Sequence, residues 1–350
     1  MSARFFNTGG FALLASLGWD EQFAEKFRQS AGPGEIPARV LADFGAEYLV
    51  HDGAQARRSA ARHVDPAVGD WVGLDGETIK SVVERRSVFS RLAAGPKTTR
   101  QVLAANVDVT FVVAAATDVN ARRIERYLTI AWQSGAVPVV VLTKADLLGD
   151  AESTRLELES AAPGTDVVVT SSVSGEGLDA IARHLVPYRT GVLLGPSGAG
   201  KSTLINSIVG AEVMRTREIH TTSGEGRHMT SHRQLVQLPG GGMIIDTPGL
   251  REAQLWEGDE ALADVFEDIE ELARSCRFND CAHTTEPGCA VNAAIAAGTL
   301  DPARYASYVK LKRELLAVAR RSDARLQAEE RRKWKQIAVA NRQRDRYLRR

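Results

Sequence analysis

GVLLGPSGAGKST, residues 191–203, and VPVVVLTKAD, residues 137–146, decide how this chain is read. In the first, an apolar run meets the pattern Gly-x-x-x-x-Gly-Lys-Ser, and a helix-length segment, 202–208, follows. A strand, a glycine-rich turn and a helix N-terminus together make a phosphate cradle: backbone N–H groups converge on the oxyanions and the helix dipole adds positive potential. Gly195, Pro196, Ser197, Gly198, Ala199, Gly200, Lys201, Ser202 and Thr203 are the candidate cradle residues. Lys201 would neutralise the β and γ phosphates, and the Ser202 hydroxyl would ligate Mg²⁺.

In the second stretch, Thr143, Lys144 and Asp146 cap an apolar strand. A carboxylate there can accept two hydrogen bonds from guanine, from its ring N–H and its amino group, a pairing that adenine does not offer. Leaving such a carboxylate unpaired gives large discrimination between the bases. Ser171 and Ser172, after the run at 166–169, suit a loop whose backbone meets the guanine oxygen. The two stretches stand in an inverted order. Ordinary GTP-binding domains place the phosphate loop first; here the base-reading loop precedes it, so the same parts are cyclically shifted.

Two further loops complete the nucleotide set. Asp246-Thr247-Pro248-Gly249 follows the apolar run 243–245, which places Asp246 in the Mg²⁺ shell and the Gly249 N–H at the γ-phosphate. GEGRHMTS, 224–231, is the other switch, with Thr230 as the candidate second Mg²⁺ hydroxyl and Ser231 as the alternative. Position 250 is Leu, where many GTPases carry a Gln that orients the attacking water. His228 is the candidate for that task, so His228, Thr230 and Lys201 form the catalytic set.

The surrounding texture is modular. Apolar, β-branched runs at 107–115 and 137–142 flank a helical segment, 121–133, the alternation of an α/β domain with a mainly parallel sheet. Before it, short β-like runs at 39–41, 47–50, 70–74 and 78–83 suggest a small barrel. Between the second and third runs lies a positive loop carrying Arg57, Arg58 and Arg62. Residues 11–28 could form one amphipathic helix, and 259–273 a short acidic helical segment.

The only three cysteines fall together, as Cys276-x4-Cys281-x-His283-x5-Cys289. Three thiolates and an imidazole are a tetrahedral donor set for Zn²⁺; with no open position, the site is structural. So tight and odd a set argues against a disulfide framework and for a reducing compartment. The chain has 350 residues, with 44 basic and 44 acidic, yet residues 301–350 carry a net +10 and the rest −10. That basic end includes Arg331, Arg332, Lys333, Trp334 and Lys335, which can grip phosphates and stack on a base, or form a solvated helix. No stretch has the length and apolarity to span a bilayer, and a cytoplasmic location is expected.

The constellation resembles the circularly permuted GTPases of the ribosome small-subunit-dependent GTPase A family. The resemblance runs from about residue 38 to 308 and includes PAVGDWV (66–72), RRSVFSR (85–91), QVLAANVD (101–108) and EPGCAV (286–291). Thr143 and Met229 depart from the family's usual residues. The resemblance implies a multidomain chain: an N-terminal extension (1–36), an OB-fold-like β-barrel (37–95), a central α/β circularly permuted P-loop GTPase domain (96–255), a C-terminal α-helical zinc-knuckle domain (256–310) and a basic helical tail (311–350). It further implies a monomer that binds GTP and GDP with Mg²⁺, holds one Zn²⁺, and binds the small ribosomal subunit and its rRNA. The subunit would stimulate hydrolysis late in its own maturation. A passive RNA-binding module with structural nucleotide, and a GTPase switch acting on another RNA, are the alternatives.

Overall fold

A computed structural model describes residues 13–92, 100–210, 233–246 and 260–322. The chain forms two compact units, one spanning Met1–Arg91 and Arg100–Gln254, the other Leu92–Thr99 and Leu255–Arg350.

In the first unit, α1 (Glu21–Ser30) precedes five strands: β1 (Ile36–Asp43), β2 (Tyr48–His51), β3 (Ala56–Ala61), β4 (Trp71–Asp75) and β5 (Thr78–Val82). β1 pairs with β2, β2 with β3, β3 in parallel with β5, β5 with β4, and β4 returns to β1. The circuit is closed, as in an OB-fold barrel, so each barrel strand has a partner on both sides. Ala38, Val40, Val50, Val72, Leu74 and Ile79 are fully enclosed and fill it.

Two local expectations change. The positive loop is a strand: β3 pairs with β2 from Tyr48↔Ser59 to His51↔Ala56, and Ser59 is buried. Its arginines read as loop because their compensation comes from the turns at either end of β2. Arg57 pairs with Asp52, and Arg58 lies 3.3 Å from Glu47 and over the Phe44 ring. The single helix over 11–28 is also not formed. Residues 13–15 make a helical turn, Gly18 takes φ +85°, and Asp20 then caps α1 by accepting from the Phe23 N–H. The break lets Trp19 pack edge-on against Trp71 of the barrel, with ring centroids 4.6 Å apart.

Next come a two-stranded ribbon, β6 (Val88–Leu92) with β7 (Arg100–Ala105), and then β8 (Val109–Ala115), α2 (Ala121–Ser134), β9 (Val137–Thr143), α3 (Ala151–Ala161), β10 (Asp166–Val169), α4 (Leu178–His184), β11 (Thr190–Leu194), α5 (Lys201–Val209), β12 (Arg233–Gln237) and β13 (Met243–Asp246). The sheet order is β10-β9-β8-β11-β13-β12. All are parallel except β12, an antiparallel strand that also pairs with β1 through Ala42↔Gln234 and Asp43↔Arg233. Every residue of β8 is buried, and Val139, Val140, Val141 and Leu142 of β9 are as well, which explains their unbroken apolar runs. α2 is capped by Asn120 and ended by left-handed Gly135.

The segments 66–72, 85–91 and 101–108 meet where barrel and sheet join. Asp70, fully enclosed, receives Arg85 on both oxygens, at 2.8 and 2.6 Å. Asn106 donates to the Gly69 carbonyl and accepts from the Arg86 N–H.

The second unit is helical: α6 (Glu260–Val265), α7 (Glu267–Arg274), α8 (Ala290–Ala297) and α9 (Pro302–Ser322). The acidic segment is two helices, separated at the fully enclosed Phe266. Ile269, Val291, Tyr308, Leu311 and Leu315 complete its core, and Arg304 grips Asp268 at 2.8 Å through Nε and Nη2. α9 runs unbroken through residue 311. Among the described residues no helix is long and apolar enough to cross a membrane.

Candidate functional site

The parallel strands bring the candidate nucleotide residues to one edge. β9, β8 and β11 are neighbours, and β10 and β13 flank them. The loops after β9, β10 and β11, together with Asp246 at the end of β13, therefore gather at the carboxyl ends of the strands, where open α/β sheets bind ligands. Gly195 leaves β11 at φ +158°, and a Cβ there would collide with the Val113 carbonyl. No other residue fits that turn. Ala199 is buried, Ser197 and Gly198 are exposed, and α5 begins at Lys201 with Ser202 and Thr203 in its first turn. The Lys201 ammonium donates to the carbonyls of Gly195 (2.8 Å) and Pro196 (2.7 Å), which folds its charge back over the loop.

The loop after β9 is bolted to the loop after β11. The Thr143 hydroxyl, buried, donates to the Ala199 carbonyl at 2.6 Å and lies 3.3 Å from that of Ala114. Lys144, held in a left-handed conformation at φ +60°, donates from Nζ to the Gly198 carbonyl at 2.9 Å. Sequence reading gave Thr143 and Lys144 to the base; in the structure their side chains tie the two loops together. The available signal was a hydrogen-bonding side chain at the strand end, one that a hydroxyl satisfies. Asp146 is exposed, and its Oδ1 accepts from the buried Ser171 hydroxyl at 2.6 Å. The Ser171 Oγ in turn accepts from the N–H groups of Val173 and Ser174, both at 3.2 Å, so this loop aims the carboxylate. Ser172 is half-buried beside it. Gly249, His228, Thr230 and Ser231 lie outside the described residues, as do Arg331, Arg332, Lys333, Trp334 and Lys335. Arg62 is exposed at the end of β3.

The cysteine motif closes into a cluster. One ligand atom from each of Cys276, Cys281, His283 and Cys289 lies within 4.8 Å of all the others. His283 Nδ1 is 3.6 Å from the Cys276 sulfur and 3.5 Å from that of Cys289, and the two sulfurs are 4.0 Å apart. A tetrahedral zinc with Zn–S near 2.3 Å sets ligand atoms roughly 3.4–3.8 Å apart, so the donors fit a metal of that size. Burial raises the Cys276 thiol, but N–H groups of Ala290 and Val291 and the neighbouring thiols outweigh it and bring it below its ordinary value. Those contacts favour the thiolate a metal needs. The Glu286 carboxylate ties the loop, accepting from the N–H groups of Ala282, Thr284 and Thr285. Backbone N–H groups, its own first, bring its pKa down to about 2.

A Gly-x-x-x-x-Gly-Lys-Ser loop strapped to a Thr-Lys-x-Asp loop that precedes it in the chain, both on one parallel sheet, is the arrangement of a circularly permuted P-loop GTPase. Comparison with known proteins narrows this class. Residues 82–256 match the RsgA GTPase family, and the chain belongs to it. It is 45% identical over 359 residues to the small ribosomal subunit biogenesis GTPase RsgA of Opitutus terrae, covering 95% of this chain and 98% of that one. The protein of the same name from Streptomyces avermitilis is 45% identical over 337 residues, covering 92% and 91%. The crystal structure of YjeQ from Thermotoga maritima superposes with a TM-score of 0.60 at 26% identity, over 81% of this chain and 99% of that one. YloQ, a circularly permuted GTPase, gives 0.58 at 25% identity, over 81% and 96%. This chain is accordingly a GTP-hydrolysing enzyme.

Proposed function

We propose that this chain is a cytoplasmic, monomeric GTPase that binds the small ribosomal subunit and assists its late maturation, with hydrolysis stimulated by the subunit and coupled to release. The names of its relatives, which match it almost end to end, support the target. The carrying observation is the strapping of Thr143 and Lys144 onto the loop that ends at Lys201. It makes base reading and phosphate binding one rigid device.

The cradle of residues 195–203, with the Gly249 N–H, takes the phosphates. To do so Lys201 exchanges two neutral carbonyl acceptors for anionic phosphate oxygens, which attract its ammonium more strongly. Asp146, aimed by Ser171, accepts from guanine, while Ser172 belongs to the loop facing the guanine oxygen. Ser202, Asp246 and Thr230 would hold Mg²⁺, which neutralises phosphate charge when bound. His228 orients the attacking water, a task for which Leu250 has no polar group. Cys276, Cys281, His283 and Cys289 would hold one structural Zn²⁺. On the RNA side, Arg57 and Arg58 already face carboxylates, so Arg62 and the basic tail contribute the larger share of phosphate contacts.

The test is phosphate release from GTP with and without purified small subunits, alongside Lys201→Ala. Stimulation in the wild type and its loss in the variant are expected. No stimulation, with subunit binding indifferent to nucleotide, would leave a passive RNA-binding module. ATP competing as well as GTP would remove the role given to Asp146.

A further inference from the structure

One buried cation lies outside the nucleotide site and outside every motif read from the sequence. Arg39, on β1 of the barrel, is 2% exposed. Its Nη2 donates to the Thr190 hydroxyl at 2.8 Å and to the Asn106 carbonyl at 3.2 Å. Its Nη1 donates to the Leu17 carbonyl of the N-terminal segment and lies 3.9 Å from the Met243 sulfur on β13. The guanidinium also sits 5.3 Å from the Trp71 ring centroid, on the barrel strand opposite it. Burial pulls its pKa down to about 10, against the pull of Asp108 and Asp70, so it stays charged at neutral pH.

The partners are what matter. Thr190 is the first residue of β11, the five-residue strand that ends at Leu194, immediately before Gly195. Its N–H donates to the Asp108 carboxylate at 2.7 Å and its carbonyl accepts from the Asp108 N–H at 2.8 Å. Thr190 is thus held on three sides, and one of the three comes from the barrel. Packing around the joint is close: a Cβ on Gly18 would come within 2.6 Å of Arg39 Nη1, 2.9 Å of the Tyr188 carbonyl and 3.2 Å of the Met243 methyl. N-terminal segment, barrel and nucleotide-bearing sheet therefore meet around one planar fork of donors. A buried charge is a poor way to gain stability, because well-packed apolar replacements are often neutral or better. What a fork with fixed geometry supplies is register between the elements it joins.

We propose that Arg39 is a positioning residue, which sets the strand carrying the phosphate loop against the barrel so that nucleotide occupancy and barrel stability are coupled. A rigid strand transmits displacement along its length, and a five-residue strand is only about 16 Å long. Whatever holds the barrel in place would then be felt at the phosphate loop, and by reciprocity the nucleotide would be felt in the barrel.

The experiment is amide hydrogen exchange of the full chain with and without GDP and Mg²⁺, comparing wild type with Arg39→Met. With ligand at about a hundred times its dissociation constant, openings that destroy the site slow by roughly 100-fold. In the wild type, amides of β11 and those of the barrel strands β2, β4 and β5 should slow by the same factor. In Arg39→Met the β11 amides should keep that factor, while the barrel amides lose most of it, responding by less than about threefold. A residue that only added stability would shift both sets together and leave their nucleotide response equal. Thr190→Val removes the acceptor at the other end without touching the barrel and should produce the same split, which covers the case in which Arg39→Met does not fold. Barrel amides that keep the full nucleotide response in the folded variants overturn the proposal.

Discussion

Replacing Thr143 with Val removes one hydroxyl and keeps the shape of the side chain. The hydroxyl is buried and makes a 2.6 Å bond to the Ala199 carbonyl, itself in a buried residue. Leaving such a carbonyl without a partner costs about 1–3 kcal/mol. The bond exists without nucleotide, so free and bound proteins lose it alike and most of the cost should fall on folding. Urea unfolding of the nucleotide-free protein should show that loss as a lower midpoint with an unchanged slope. GTP affinity, read by calorimetry, should fall by less than about tenfold, which corresponds to 1.4 kcal/mol. Thr143→Ser keeps the donor and should remain near wild type. Lys144→Met removes the second strap, and the double variant should be non-additive, because both bonds hold one loop. Unchanged stability with a 100-fold loss of GTP affinity would refute the reasoning, since the hydroxyl would then be touching the nucleotide itself.

Three other outcomes are expected. Arg85→Ala strands the enclosed Asp70 carboxylate and should cost roughly 3–5 kcal/mol in urea unfolding, whereas the double change Asp70→Leu with Arg85→Met should recover much of it. Cys281→Ser, or a strong chelator, should make residues 260–322 susceptible to protease while the β8–β13 sheet stays resistant, and elemental analysis of the intact chain should give about one zinc per molecule. Burial lowers the His51 pKa from its ordinary value, and its Nδ1 accepts from the Gly53 N–H at 3.0 Å. The neutral ring is therefore favoured by folding. Its contribution is complete above about pH 6.5 and is lost as the pH falls through the lower folded value. His51→Gln should flatten stability against pH in that window, and an NMR titration placing His51 at or above 6.5 would contradict this.

Legibility in the sequence followed locality. β8 and β9 were readable because strands covered on both faces need continuous apolar side chains. The phosphate loop and the cysteine cluster were readable because their chemistry fixes residue types at short spacing. β3 and β12 were not: ARRSAA and RQLVQ carry polar residues on both sides, and only partners remote in sequence make them strands. Arg39 was opaque for the same reason. A lone arginine in a β run reads as solvent-facing, and its acceptors at 17, 106 and 190 are assembled only by the fold. The bond from Thr143 to Ala199 was not legible either, because it required the sheet order.

The β1–β12 ladder has a consequence for modularity. Because β1 pairs with β2 and β4 within the barrel and also with β12 beyond it, the barrel is not a bead that can be cut from its string. Excision would bare the outer side of β12 and the end of β1 together, and such raw edges recruit other chains. A barrel grafted from a relative would bring its own final turn of β1 to a foreign β12. Recombination within such a lineage should therefore exchange these two modules together, as a single heritable block.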